Sequence, residues 1–299
     1  MKKHSLEHLK TIPLWEMLER SPRKDLILEQ QGITGLYEAL FAPESNAQFK
    51  LQKRRNLHYL EKAHQFIESI KETEHRPCFL KGACLLGEIY PGWGERFMSD
   101  IDIYCTDMEA MEEAAFSFGM KRTHPEESYW LGNAHKREFY LETSLGNIPF
   151  EFHSKLFWHK EDPGELNYYG YQDSYGLGLE EMLVFLIGHY AFQHTCQKLY
   201  WLFDIYLFID RFDAEINYKK FSFLVDHFNF LRSVSIVKSL VKTAFDFDWS
   251  SISEESRFPM RESYLLEDSQ RHWYYLLLKL YLKGGVVNNL KYNMAWLKK

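Results

Sequence analysis

The apolar period of this chain changes sharply near residue 76, and that change limits the folds open to it. Upstream, "NLHYLEKAHQFIESIKETEH" spaces Leu57, Leu60, Ala63, Ile67 and Ile70 at three and four residues, with charges between them. This is the stripe of an amphipathic helix. Downstream, "DIDIYC" alternates with period two, as a half-buried strand does. A chain with both periods must pack helices against a sheet.

The rest of the chain extends this pattern. "FAPESNAQF" breaks the early helices with Pro and Ser, "PCFLK" reads as a short strand ending at Gly82, and "GACLLGEIY" reads as a helix opening there. "PGWGERFMS" is a loop, and "MEAMEEAAFSFG" is a helix that stops at Gly119. Two alternating segments, 136–143 and 148–153, are joined by "SLGN" and form a hairpin with a turn longer than two residues. "SLGNIP" and "YYGYQDSYGLG" are turn-rich connections, the latter covering the join to a helical C-terminal half. There, "GLEEMLVFLIGHYAFQH", "KLYWLFDIYLFIDRF" and "YKKFSFLVDHFNFLRSVSIVKSLVKTAF" carry helical apolar faces. The basic end, "NLKYNMAWLKK", offers Trp296 as an anchor. The expected fold is α+β: a small mixed sheet with helices, flanked by an N-terminal helical segment and a helical C-terminal half. The expected divisions are 1–75, 76–175 and 176–299.

Composition narrows function mainly by exclusion. The net charge of −6 argues against extended nucleic-acid binding, which needs a basic face. Cys78, Cys84, Cys105 and Cys196 form no CxxC pair, so buried thiols are expected rather than a zinc site or disulfides. No apolar run approaches the ~18 residues of a membrane span. The charged N-terminus lacks a signal-peptide core, which points to the cytoplasm.

The chemistry concentrates between residues 81 and 153. On a strand, Asp100 and Asp102 project to one face, where two carboxylates can share a divalent cation. Alone, the pair equally describes an exposed strand with solvated aspartates. Gly82 sits at a strand-to-helix turn whose free N–H groups suit phosphate, though a plain turn would look the same. Lys81 and Arg96 flank the unit as phosphate-neutralising or merely solvated cations. Glu151, on "IPFEFH", is positioned to complete a two-metal site or to be a polar face residue. His153 shares its strand face and can orient it or exchange protons. His189 and His194 lie five apart, off a common α-helical face, and read as packing histidines or as contacts to a base or acceptor. Asp204, among apolar neighbours, needs a partner if buried, and Lys198 is the candidate.

"LKGACLLGEIYPGWGERFMSDIDIYC" resembles the signature of the uncharacterised bacterial nucleotidyltransferase family of the DNA polymerase β-like superfamily. Lys81, Gly82, Tyr90, Gly94, Arg96, Asp100 and Asp102 fall on that signature, followed by Glu151 and His153. His189, His194, Lys198, Trp201 and Asp204 fall on its later helical segment. The resemblance covers roughly residues 76–210, and it departs where most of the superfamily has Gly-Ser and a third Asp. It implies an NTP bound with Mg²⁺ or Mn²⁺, with the triphosphate near Gly82, Lys81, Arg96 and His153. Asp100, Asp102 and Glu151 would be the metal-holding and catalytic acids, and an acceptor hydroxyl would displace pyrophosphate. The acceptor class stays open among a protein, a small molecule and a nucleic-acid end. Two rivals share the D-x-D: a glycosyltransferase, and a nucleotide- or partner-binding protein without turnover.

Overall fold

The computed structural model describes residues 5–70, 77–124, 135–164, 166–171, 174–253, 256–260, 262–266 and 273–294. Four helices come first: α1 (Pro13–Glu19), α2 (Lys24–Gln30), α3 (Thr34–Phe41) and α4 (Ala47–Ser69). The α+β expectation holds. Strands β1 (Cys78–Phe79), β2 (Ile101–Tyr104), β3 (Lys121–Arg122), β4 (Lys136–Thr143), β5 (Gly146–His153), β6 (Tyr168–Tyr171) and β7 (Ser174–Leu177) form one seven-stranded sheet. Its order is β3-β4-β5-β2-β1-β7-β6. β2 runs parallel to β5 and antiparallel to β1, and β1 runs parallel to β7, so the sheet is mixed.

Helices α5 (Gly82–Leu85) and α6 (Met108–Ser117) lie within the sheet region of the chain. After the sheet come α7 (Leu179–Ile187), α8 (Leu199–Phe212), α9 (Tyr218–Phe228) and α10 (Leu231–Phe245). The last helices are α11 (Glu262–Leu266), α12 (Trp273–Leu282) and α13 (Val286–Met294). Buried apolar residues from Leu6 to Leu282 join in one core. Phe66 of α4 packs edge-on against Phe150 of β5 and tilted against Phe152, which ties the N-terminal helices to the strand that carries Glu151. The four cysteines are free and buried.

Several expectations need correction. α5 is a single turn, because Gly87 adopts φ +85 and Leu86 is extended and bridges to Tyr90. The β4–β5 turn is tight: Thr143 pairs with Gly146, whose φ of +111 lets the return strand start at once. "YYGYQDSYGLG" contributes β6 and β7 rather than loops, with residues 172–173 outside the described residues. The long pattern after residue 217 is two helices, parted at Asn229 in the left-handed conformation. Leu57 points outward at 38% exposure while Asn56 beside it is buried. The α4 face is rotated so that Asn56 Nδ2 donates to the carbonyls of Trp93 (2.7 Å) and Arg96 (2.9 Å). Trp296 lies outside the described residues.

Candidate active site

The parallel register of β2 and β5 sets Asp102 opposite Glu151 and Tyr104 opposite His153. Period-two alternation then puts Asp102, Glu151 and His153 on one face of the sheet. Asp100 stands one residue before β2. Asp100, Asp102 and Glu151 line one cavity of about 150 Å³ together with Lys81, Gly82 and Arg96. The structure thus brings together the aspartate pair and the distant glutamate.

Each acid on this floor has a distinct environment. Lys81 Nζ donates to Asp102 Oδ1 at 2.8 Å, and His153 Nε2 lies 3.0 Å from the same oxygen. His153 Nε2 also lies 3.4 Å from Glu151 Oε2, which accepts from Lys136 Nζ at 2.7 Å. Burial pushes both carboxyls up, but neighbouring lysines and a hydrogen bond with His153 outweigh it. Lys81 and then His153 hold Asp102 below the usual carboxylate range. Lys136, His153 and Lys81 hold Glu151 well below it. Asp100 goes the other way: burial and then the Asp102 charge raise it, while Ser99 Oγ donates to it at 2.7 Å. Burial alone would lower Lys81, but Asp102, Asp100 and Glu151 raise it, so it stays charged.

Local backbone geometry aims these groups. Lys81 adopts φ 47 and ψ −127, a conformation that costs a non-glycine residue on the order of 1–3 kcal/mol. The turn delivers its ammonium to Asp102. A Cβ at Gly82 would collide with the Arg96 guanidinium, which Asp204 holds in place, and crowd the Met98 sulfur, so the close approach favours glycine. Arg96 lines the cavity, but its Nε and Nη2 donate to Asp204 Oδ1 and Oδ2, each at 2.8 Å. Its Nη1 donates to the Phe97 carbonyl at 3.0 Å. The sequence offered Lys198 as the partner of Asp204. The actual partners are Arg96 and Tyr90, whose hydroxyl donates at 2.9 Å, while Lys198 Nζ donates to the Gln30 carbonyl.

An aromatic wall faces the acids. α7 continues into a π-helical turn, Gly188–Gln193, in which His194 N–H donates to the carbonyl of His189 five residues back. In a π-helix residues i and i+5 are neighbours, so the His189 and His194 rings lie 4.5 Å apart. Trp201 packs against both, at 4.6 and 4.7 Å. Tyr200 and Trp201 belong to the start of α8, which the end of α2 anchors: Gln31 accepts from Leu199 N–H through its side chain and from Tyr200 N–H through its carbonyl. Burial, and then the Lys81 charge, push His194 down to about 3 and His189 well below its ordinary value. Both imidazoles are therefore neutral at pH 7. All four of these side chains line the cavity.

Lys136, Ser99 and Tyr200 were missed by sequence reasoning. For Lys136 a signal existed: counting back from a two-residue turn at Ser144 and Leu145 sets it opposite His153. Reading that turn as longer hid the register.

The donor set suits a divalent cation. Asp102, Glu151 and His153 each present one ligand atom, all within 4.8 Å of one another. Carboxylate oxygens suit hard divalent cations, and an imidazole nitrogen among them adds a ligand that first-row transition metals accept. His153 takes the third place in this cluster, where Asp100 was expected. Asp100 stands beside it on the same cavity.

No helix among the described residues is long and apolar enough to cross a membrane. No curated protein matches the chain. Among solved structures it is similar to JHP933 from Helicobacter pylori, at 13% identity and TM-score 0.41, over 77% of this chain and 94% of that one. It is also similar to an antigenic nucleotidyltransferase-like protein from Paracoccidioides brasiliensis, at 12% identity and TM-score 0.37, over 66% of this chain and 97% of that one. Residues 28–246 match a family model described as uncharacterised nucleotidyltransferase. By that match, which spans the sheet, the acidic floor and the aromatic wall, the protein belongs to the uncharacterised nucleotidyltransferase family.

Proposed function

We propose that the protein transfers a nucleoside monophosphate from an NTP to an acceptor hydroxyl and releases pyrophosphate. The observation that carries this reading is the register of β2 and β5. It sets Asp102 and Glu151 side by side, next to Asp100, in a cavity that also holds Lys81. Asp100, Asp102 and Glu151 would hold Mg²⁺ or Mn²⁺, with His153 as a further ligand or as the group that orients the acids. The bound cation supplies charge neutralisation for the triphosphate and the developing pyrophosphate.

The chain's own residues do the positioning. Lys81 presents its ammonium to the phosphates, and the Gly82 turn allows their close approach. His153 Nε2 restrains Asp102 and Glu151 together. The acceptor oxygen forms a bond to the α-phosphorus while the bond from that phosphorus to the β-phosphate oxygen breaks. The acceptor proton passes to a carboxylate of the floor. Gain in such an in-line displacement comes mainly from orientation and electrostatics. Arg96 acts chiefly by holding Asp204 and the loop behind Asp100. The neutral wall of His189, His194, Tyr200 and Trp201 contacts the base or the acceptor. Acceptors compatible with this reading are a protein, a small molecule or a nucleic-acid end.

The test is calorimetric titration of each NTP, with Mg²⁺ or Mn²⁺, into wild type and Asp100→Ala/Asp102→Ala. This is followed by a search for transfer from α-labelled NTP to candidate acceptors. Binding that needs both the cation and the aspartates supports the reading. Failure of folded wild type to bind any NTP refutes it. Binding without transfer to any acceptor favours a nucleotide-binding protein on the same fold.

A further inference from the structure

The acids of the cavity floor already have cationic partners. Lys81 and Lys136 each hold one carboxylate at 2.8 and 2.7 Å, and both line the cavity. Lys81 comes from the β1–α5 turn and Lys136 from the first residue of β4, so they approach from different elements. Asp100, Asp102 and Glu151 outnumber these two ammoniums by a single charge. The floor is therefore close to balance on its own.

This balance decides what can enter. A dication arriving alone must displace an ammonium from each carboxylate it takes. The displaced ammonium is then left in a largely desolvated cavity without an anion, which is costly. A triphosphate arriving alone meets carboxylates whose charge is only just offset. When both arrive together, every displaced ammonium finds a phosphate oxygen. A lysine suits such an exchange, because its donors sit at the end of a flexible four-carbon stem and can swing without backbone movement.

We propose that Lys81 and Lys136 are exchangeable counter-ions: they neutralise Asp102 and Glu151 in the unloaded site and pass to the triphosphate when a divalent cation takes the carboxylates. Cation and triphosphate then bind synergistically, and Lys136 is a triphosphate-binding residue. The inference rests on the NTP reading above and adds a residue and a binding order to it. By linkage, the factor by which one ligand tightens the other is the same in both directions.

The experiment compares Lys136→Gln with wild type, using Mn²⁺ alone and Mn²⁺ with inorganic tripolyphosphate. Free Mn²⁺ is followed by its paramagnetic resonance signal and the complex by calorimetry, with correction for Mn²⁺–tripolyphosphate formed in solution. Removing the competing ammonium is expected to tighten Mn²⁺ alone about tenfold and to weaken the complex about tenfold. A purely structural lysine would shift both in the same direction, and that result, or no shift in either, overturns the proposal. If folded wild type binds the complex but Lys136→Gln shows no opposed shift, only the exchange fails. If wild type binds neither probe, the NTP reading fails and takes the exchange with it. Should Lys136→Gln not fold, Lys136→Arg replaces it. A guanidinium fork on Glu151 is expected to weaken Mn²⁺ alone while sparing the complex, and equal shifts in both overturn the proposal.

Discussion

The rings of His189 and His194 stand 4.5 Å apart because the chain between them follows a π-helical turn. On an α-helix, residues five apart diverge. Here the wider turn aligns both imidazoles with the cavity, and Trp201 braces them from α8. Thr195 and Cys196, both at positive φ, end the turn, and the Tyr264 hydroxyl pins it by donating to the Thr195 carbonyl at 2.6 Å.

If this wall reads the base, His189→Ala and His194→Ala will weaken NTP binding without weakening binding of tripolyphosphate. A loss of about three- to thirtyfold is expected for the NTP, the worth of one or two hydrogen bonds. Calorimetry with both ligands distinguishes the outcomes. An equal loss for tripolyphosphate would mean that the histidines support the floor instead.

Asp102 and Asp100 should part company in stability. Asp102 is buried and holds the ammonium of Lys81, which is buried too. Asp102→Ala strands that charge and is expected to cost about 3–5 kcal/mol. Asp100 is half-buried and its Oδ1 accepts from Ser99, so Asp100→Ala should cost about 1 kcal/mol or less. Urea denaturation of the two variants measures the contrast. Equal losses would mean that the Lys81–Asp102 pair carries little of it.

The Arg96–Asp204 pair is bidentate and fully enclosed, with Arg96 at 3% exposure and Asp204 at 0%. Arg96→Lys keeps the charge and loses the fork, so it should destabilise by about 2–4 kcal/mol. A double-mutant cycle with Asp204→Asn should recover a coupling of about 1–3 kcal/mol. If Arg96 serves the phosphates instead, Arg96→Lys will leave stability near wild type while weakening tripolyphosphate.

Acid should destabilise the protein through the same wall. An unfolded chain protonates His194 near 6.5, and the folded chain does so only near 3. Between these values the unfolded state binds the extra proton, so stability is full above about 6.5 and falls as pH drops. At a pH two units below the unfolded value, one such histidine accounts for about 2.7 kcal/mol. Denaturation of wild type and His194→Gln at several pH values tests this. The variant should lose less stability on acidification, and parallel losses would show that His194 is protonated in the folded state.

Much of the architecture and part of the site follow from local pattern. The helical stripe before residue 70, the Asp-Ile alternation and the glycine between strand and helix are short-range signals. A reader of the chain can find them because helix and strand periods are properties of neighbouring residues. The same logic placed Asp100, Asp102 and Glu151 as candidates, since alternation states which side chains share a face. What local pattern missed were consequences of register and turn geometry. Lys136 joins the floor only because the hairpin turns in two residues, and Leu57 yields the buried face to Asn56 only because a distant loop needs its amide.

By itself, then, the sequence determined the change from helix to strand near residue 76 and back to helix near residue 177, the acids carried by or beside β2 and β5, and the glycine at residue 82. Tertiary structure decided the partners. Asp102 meets Lys81, Glu151 meets Lys136 and Asp204 takes Arg96. The reason is physical. A buried charge must be matched by whichever opposite charge the packed elements bring within about 3 Å, and no run of neighbouring residues encodes that distance.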